Sequence, residues 1–171
     1  MLILRDMRGA DGPTTVFLAG ELGMSWINVF GLIFVVLLLI PNIVYAIKVK
    51  NQQNKCTNKA MNILEKIGRY GSMFLMVFNI GIVKFGFSSV YAFLIYLLGN
   101  TLLFISYWII WVLYFKKQTY AKQISLAMIP TCLFLLSGIT LHHYLLILFA
   151  LIFGIGHIYV TNKNRVNYDE G

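Results

Sequence analysis

Five long apolar runs, none of them holding an acidic residue, dominate this sequence. Within the first, residues 32–40 are apolar on every face a helix presents. A membrane span needs roughly 20 mainly apolar residues. The segments near 25–47, 70–87, 90–115, 123–140 and 144–161 meet that requirement. Alternation of apolar and polar residues is absent, which argues against a β-barrel, and open sheets leave backbone groups unpaired in lipid. The expected fold is all-α: an integral membrane bundle of five transmembrane helices. Only 12% of the residues are charged, against about 25% in a soluble domain. That excludes an ordinary water-soluble enzyme, a disordered chain and a coiled coil.

The net charge of +8 would suggest nucleic acid in a soluble protein. Here the charges lie between apolar runs, so topology explains them and no nucleic-acid partner is expected. With the loop 48–69 in the cytoplasm, Lys48, Lys50, Lys55, Lys59, Lys66, Arg69, Lys116, Lys117, Lys122, Lys163 and Arg165 are inside. Only Arg5, Arg8 and Lys84 fall outside. The positive-inside rule then sets the N-terminus out and the C-terminus in, in a cell inner (plasma) membrane. Trp26 marks the outer edge of the first span, and Tyr107, Trp108, Trp111 and Tyr114 the inner end of the third.

Short connections at 87–90, 116–122 and 140–144 imply antiparallel neighbours. The longer loop is expected to hold an interfacial helix at about 58–69. Asn58 would cap it, Met61, Leu64 and Ile67 would share one side, and Glu65 and Arg69 would pair at i,i+4. Residues 1–24 form an extracytoplasmic segment, 25–161 the transmembrane domain and 162–171 a polar cytoplasmic tail. The first run is too long for a signal peptide and is expected to remain as an anchor. Alternatively, Met24 begins the membrane protein proper and residues 1–23 are an addition to it. Cys56 lies in a polar loop and Cys132 in an apolar run, so no disulfide is expected.

Residues 9–19 read Gly-Ala-Asp-Gly-Pro-Thr-Thr-Val-Phe-Leu-Ala. They resemble the GGADGPT segment of the beta subunits of sodium-pumping decarboxylases. The resemblance implies a broken helix with Asp11 and Thr14 as cation ligands and Na+ as the transported ion. The other reading is an exposed turn in which Gly12-Pro13 opens a short helix. The remainder, including residues 41–48 and 68–79, resembles small uncharacterised multi-pass bacterial membrane proteins, a resemblance that implies no activity.

Polar groups inside a membrane are functional candidates because leaving them unpaired is costly. Lys84 and His157 are the ionisable residues in the spans. Lys84 is placed to snorkel to water, and His157 reads as a neutral residue bonded to a neighbouring helix. Asn79, Asn100 and Thr131 are expected near one depth, with Thr101 beside Asn100. Pro130 and Pro41 would free the carbonyls of Leu126 and Leu37. This layer would bind a small cation or polar solute, or Asn79 and Asn100 would simply bond to each other, an interaction typically worth about 0.6 kcal/mol. Ala150 and Gly154 form a small-xxx-small pair that marks close helix packing.

His142-His143 lacks a nearby acid or cysteine to complete a zinc site. The acids Asp6, Asp11, Glu21, Glu65, Asp169 and Glu170 all read as terminal or loop positions. None is therefore expected to orient a histidine for hydrolysis, and no resident cofactor is implied. The sequence reads as a non-enzymatic small membrane protein: an accessory subunit, or a component that binds or passes a small solute. The bilayer is its partner, with a homo-oligomer or a larger membrane complex as further possibilities. The alternative is an ion-translocating component related to the decarboxylase beta subunits.

Overall fold

The structure is a computed structural model that describes residues 26–49, 54–80, 87 and 89–165. Among these residues it is all-helical: α1 (Val29–Lys48), α2 (Lys59–Val77), α3 (Val90–Lys116), α4 (Tyr120–Thr140) and α5 (Tyr144–Lys163). Four of them, α1, α3, α4 and α5, are long and apolar enough to cross a membrane. Side-chain caps set four of the five starts, three of them through an Asn or Ser oxygen. Asn28, Asn58 and Ser89 accept from the backbone N–H of Gly31, Met61 and Ala92. Each satisfies a donor that the first turn leaves free.

One expected boundary moves. In place of an interfacial helix at 58–69 followed by a span at 70–87, a single helix runs from Lys59 to Val77. Nothing in the sequence breaks it at residue 69. Its polar residues are not spread around the helix. Asn62, Glu65, Lys66 and Arg69, followed by the apolar Met73, line a cavity inside the bundle, which is the stripe expected of i, i+3, i+4 spacing. The outward face carries Ile63, Leu64, Ile67, Tyr70 and Phe74. Such a helix has a modest average hydropathy, although its exposed side is apolar. Residues 81–86, with Lys84, lie outside the described residues.

The helices alternate in direction and form a ring in the order α1, α2, α5, α4, α3. Between α2 and α5 the backbones touch. A Cβ on Gly68 would run into the backbone of Phe153, and one on Gly156 would lie 2.7 Å from the Glu65 nitrogen. Between α4 and α5, Gly154 faces the Thr131 methyl and Gly138 faces Ile147, so the small residue at 154 does mark close packing. Between α3 and α4, Asn100 and Ser137 bond reciprocally in full burial. α1 closes the ring, with Tyr45 packed on Trp111, Tyr114 and Phe115 of α3. At its other end, Asn28 N–H donates to the Val77 carbonyl and Asn79 N–H to that of Trp26. The Trp26 and Phe78 rings stack there.

The two halves of the ring differ. Towards the Asn28 end, among the described residues, Phe34, Met76, Tyr96, Leu133 and Leu146 are buried in the interior, with Phe34 edge-on to Tyr96. Towards the Lys48 end it is hollow.

Candidate functional site: a polar cavity inside the helix ring

The hollow has a volume of about 410 Å³ and is walled by all five helices, within the roughly 300–1,000 Å³ of ordinary ligand pockets. Its inner part is apolar: Leu38 from α1, Leu126, Pro130 and Phe134 from α4, and Phe153 from α5. Leu38 and Phe153 lie ten residues from their helix ends, so the cavity reaches about 15 Å into the bundle. The wall from α3 is aromatic, Tyr107, Trp111 and Tyr114.

One polar cluster faces this space. Glu65 is buried, 7% exposed. Its Oε1 accepts from the Arg69 guanidinium and lies 3.2 Å from His157 Nδ1. The His157 ring stacks on Phe153, with centroids 4.7 Å apart. The backbone approach at Gly68 and Gly156 is what brings Glu65 of α2 to His157 of α5. The Glu65–Arg69 pair is the expected i,i+4 contact, and His157 does bond a neighbouring helix. Its partner is an acid expected on an interfacial helix of the loop 48–69, outside the spans. Glu65 instead faces into the bundle, so a carboxylate does stand beside a histidine here.

A second polar contact lies across the cavity. Pro41 interrupts the α1 ladder. Asn42, next to it, donates from Nδ2 to the Leu38 carbonyl at 2.7 Å and to the Tyr107 hydroxyl at 2.8 Å. The mouth is edged by amides. Asn164 Nδ2 donates to Asn54 Oδ1, Asn54 Nδ2 to Asn62 Oδ1, and Gln123 Nε2 to the Asn164 carbonyl. This collar ties the loop before α2 to the end of α5.

The residues singled out in the sequence fall elsewhere. Asn100, Thr101 and Thr131 are on α3 and α4 as expected, but none of them lines the cavity. Asn100 bonds Ser137 rather than Asn79. Thr101 and Thr131 bond back to the carbonyls of Leu97 and Ala127. Asn79 follows the end of α2 in an extended segment rather than sitting mid-helix. Asp11 and Thr14 lie outside the described residues. His143 caps α5 by accepting from Leu146 N–H at Nδ1, and burial pushes its imidazole below the ordinary histidine value. The described residues contain no group of three or more potential metal ligands.

Glu65, Asn42, Tyr107 and Asn164 were missed because their role depends on which helix faces they occupy. A signal was nonetheless present. Asn62, Glu65, Lys66 and Arg69 recur at helical spacing, opposite the apolar set Ile63, Ile67, Tyr70 and Phe74. Comparison with protein-family models, with curated proteins and with solved structures finds no match to this chain.

Proposed function

We propose that this chain is a plasma-membrane protein that binds a small solute in the cavity of its helix ring, with N-terminus out, C-terminus in and α2 as a fifth span. The observation that carries this reading is the Glu65–Arg69–His157 cluster at the edge of an inward-reaching cavity. A chain with 12% charged residues has turned an acid, a base and a histidine inward. Buried ionisable groups are expensive, and in membrane bundles they mark ligand or ion paths. The fully buried side chains of Met76, Tyr96, Leu133 and Leu146 beyond the cavity favour a one-ended binding site over an open pore.

Parity supports the fifth span. Lys48 Nζ sits 4.9 Å from the Phe115 ring centroid, so α1 and α3 end on one side. The chain must then cross once between them, and α2 is the helix available. Its apolar outer face suits lipid, and Lys59 can snorkel.

The test uses the full chain in lipid nanodiscs with 5-fluorotryptophan, titrated with 1-hexanol, hexanoate and hexylamine. Trp111 lines the cavity, whereas Trp26 and Trp108 are exposed. At least one probe is expected to shift the Trp111 fluorine signal saturably, with Trp26 and Trp108 unmoved. Ala127→Phe, which fills the cavity wall, is expected to remove the shift. A Trp111 signal that no probe moves, or that moves only in step with the lipid-facing tryptophans, overturns the proposal.

A further inference from the structure

From the charges around this cavity we infer that its ligand is an amphipathic anion, with a carboxylate or phosphate-type head near Arg69 and Lys66 and an apolar tail directed towards Leu38, Phe134 and Phe153. The inference rests on the binding reading above and adds the class of ligand.

The balance of charge is one-sided. Glu65 is the one carboxylate among the described residues, and it is already paired with Arg69. Against it stand Lys66 on the cavity wall and Lys48, Lys59, Lys116 and Lys163 at the helix ends around the mouth. A low-dielectric cleft lined by one sign of charge focuses its field and concentrates ions of the opposite sign.

Arg69 has capacity to spare. A guanidinium carries five N–H donors in a planar fork. Glu65 is held through Nη2, and the Arg69 side chain remains 41% exposed. The free edge of such a fork suits the paired oxygens of a carboxylate or phosphate. Lys66, three residues earlier on the same helix, adds a second cation to the same wall.

The tail follows from the far end of the cavity. Leu38, Leu126, Pro130, Phe134 and Phe153 offer no side-chain hydrogen-bond donor or acceptor. A wholly polar anion would leave that surface against water or lose its own hydration there, and both outcomes are unfavourable. A head and tail in one molecule match the two ends.

The three probes named above share a six-carbon skeleton and differ in the head, which separates this inference from the binding reading. Hexanoate is expected to bind at least about tenfold more tightly than 1-hexanol or hexylamine, a difference of about 1.4 kcal/mol. Hexyl phosphate is expected to bind as hexanoate does. Acetate and inorganic phosphate are expected to leave the Trp111 signal still, because they lack the tail. Lys66→Gln, at an exposed position whose loss does not threaten folding, is expected to weaken hexanoate several-fold and leave 1-hexanol unchanged. Arg69→Gln is expected to do so more strongly. Saturable binding of 1-hexanol or hexylamine equal to or tighter than hexanoate overturns the anion assignment and leaves the binding reading standing. Binding of hexanoate unaffected by both variants overturns it too. Acetate or inorganic phosphate competing as well as hexanoate would assign a free anion and remove the tail.

Discussion

Glu65 shows how a single side chain changes meaning with its surroundings. Read along the chain, it is one acid in a lysine-rich stretch. In the bundle, it is buried against Arg69 and His157. A buried charge persists only when paired, and removing one partner leaves the others without compensation. Glu65→Leu is therefore expected to lower stability by about 1–3 kcal/mol, the usual cost of an orphaned buried polar group. His157→Phe keeps a ring on Phe153 and removes the same contact from the other side. A thermal-unfolding double-mutant cycle in detergent is expected to show a coupling of at least about 0.5 kcal/mol. If the two effects simply add, the Glu65–His157 contact does not hold the cluster together. The i,i+4 pairing of Glu65 with Arg69 was legible in the sequence because it is local. The Glu65–His157 contact, between residues far apart in the chain, was not, because it depends on how closely two helices approach.

That approach belongs to the helices. Their existence was legible almost throughout: α1, α3, α4 and α5 start and stop within a few residues of the apolar runs at 25–47, 90–115, 123–140 and 144–161. α2 was legible in part: Asn58 caps its start as expected, but its polar cavity face resembles a surface when averaged over the helix, so it reads as an interfacial helix at 58–69 and a separate span at 70–87. The glycines explain why α2 and α5 sit so near each other, and they make a prediction with a sign. Glycine to alanine within a helix normally stabilises by roughly 1 kcal/mol. At Gly68 and Gly156 the new methyl would meet backbone atoms of the facing helix, which cannot turn aside. Gly68→Ala and Gly156→Ala are expected to destabilise by about 1–3 kcal/mol, as overpacking does. At Gly99 the nearest atom is the Leu136 Cδ2, at 2.6 Å, the tip of a flexible side chain. Gly99→Ala is expected to be neutral or slightly stabilising. Melting temperatures of the three variants decide the matter, and equal losses at all three sites would mean that backbone contact is not what separates them.

For the whole molecule, the decisive quantity is how many times the chain crosses the bilayer. Four helices pass the test of length and hydropathy, yet four crossings would place Lys48 and Lys117 on opposite sides. The contacts of Tyr45 and Lys48 with Phe115 hold those two ends together. The proposed crossing of α2 reconciles them, with its charges turned inward, where Glu65, Arg69 and His157 compensate one another. The cationic helix ends, the amide collar and the cavity mouth then share one face, the cytoplasmic one in the proposed topology. In a background of Cys56→Ser and Cys132→Ser, single cysteines replacing Lys48, Lys117 and Tyr144 would be probed with a membrane-impermeant maleimide. Five crossings predict labelling at position 144 in intact cells, and at positions 48 and 117 only in inverted vesicles. Labelling at 48 and 117 from opposite sides would mean that α2 lies along the membrane rather than across it. The ring would then be open on that flank, and the cavity would lose the wall that carries Glu65 and Arg69.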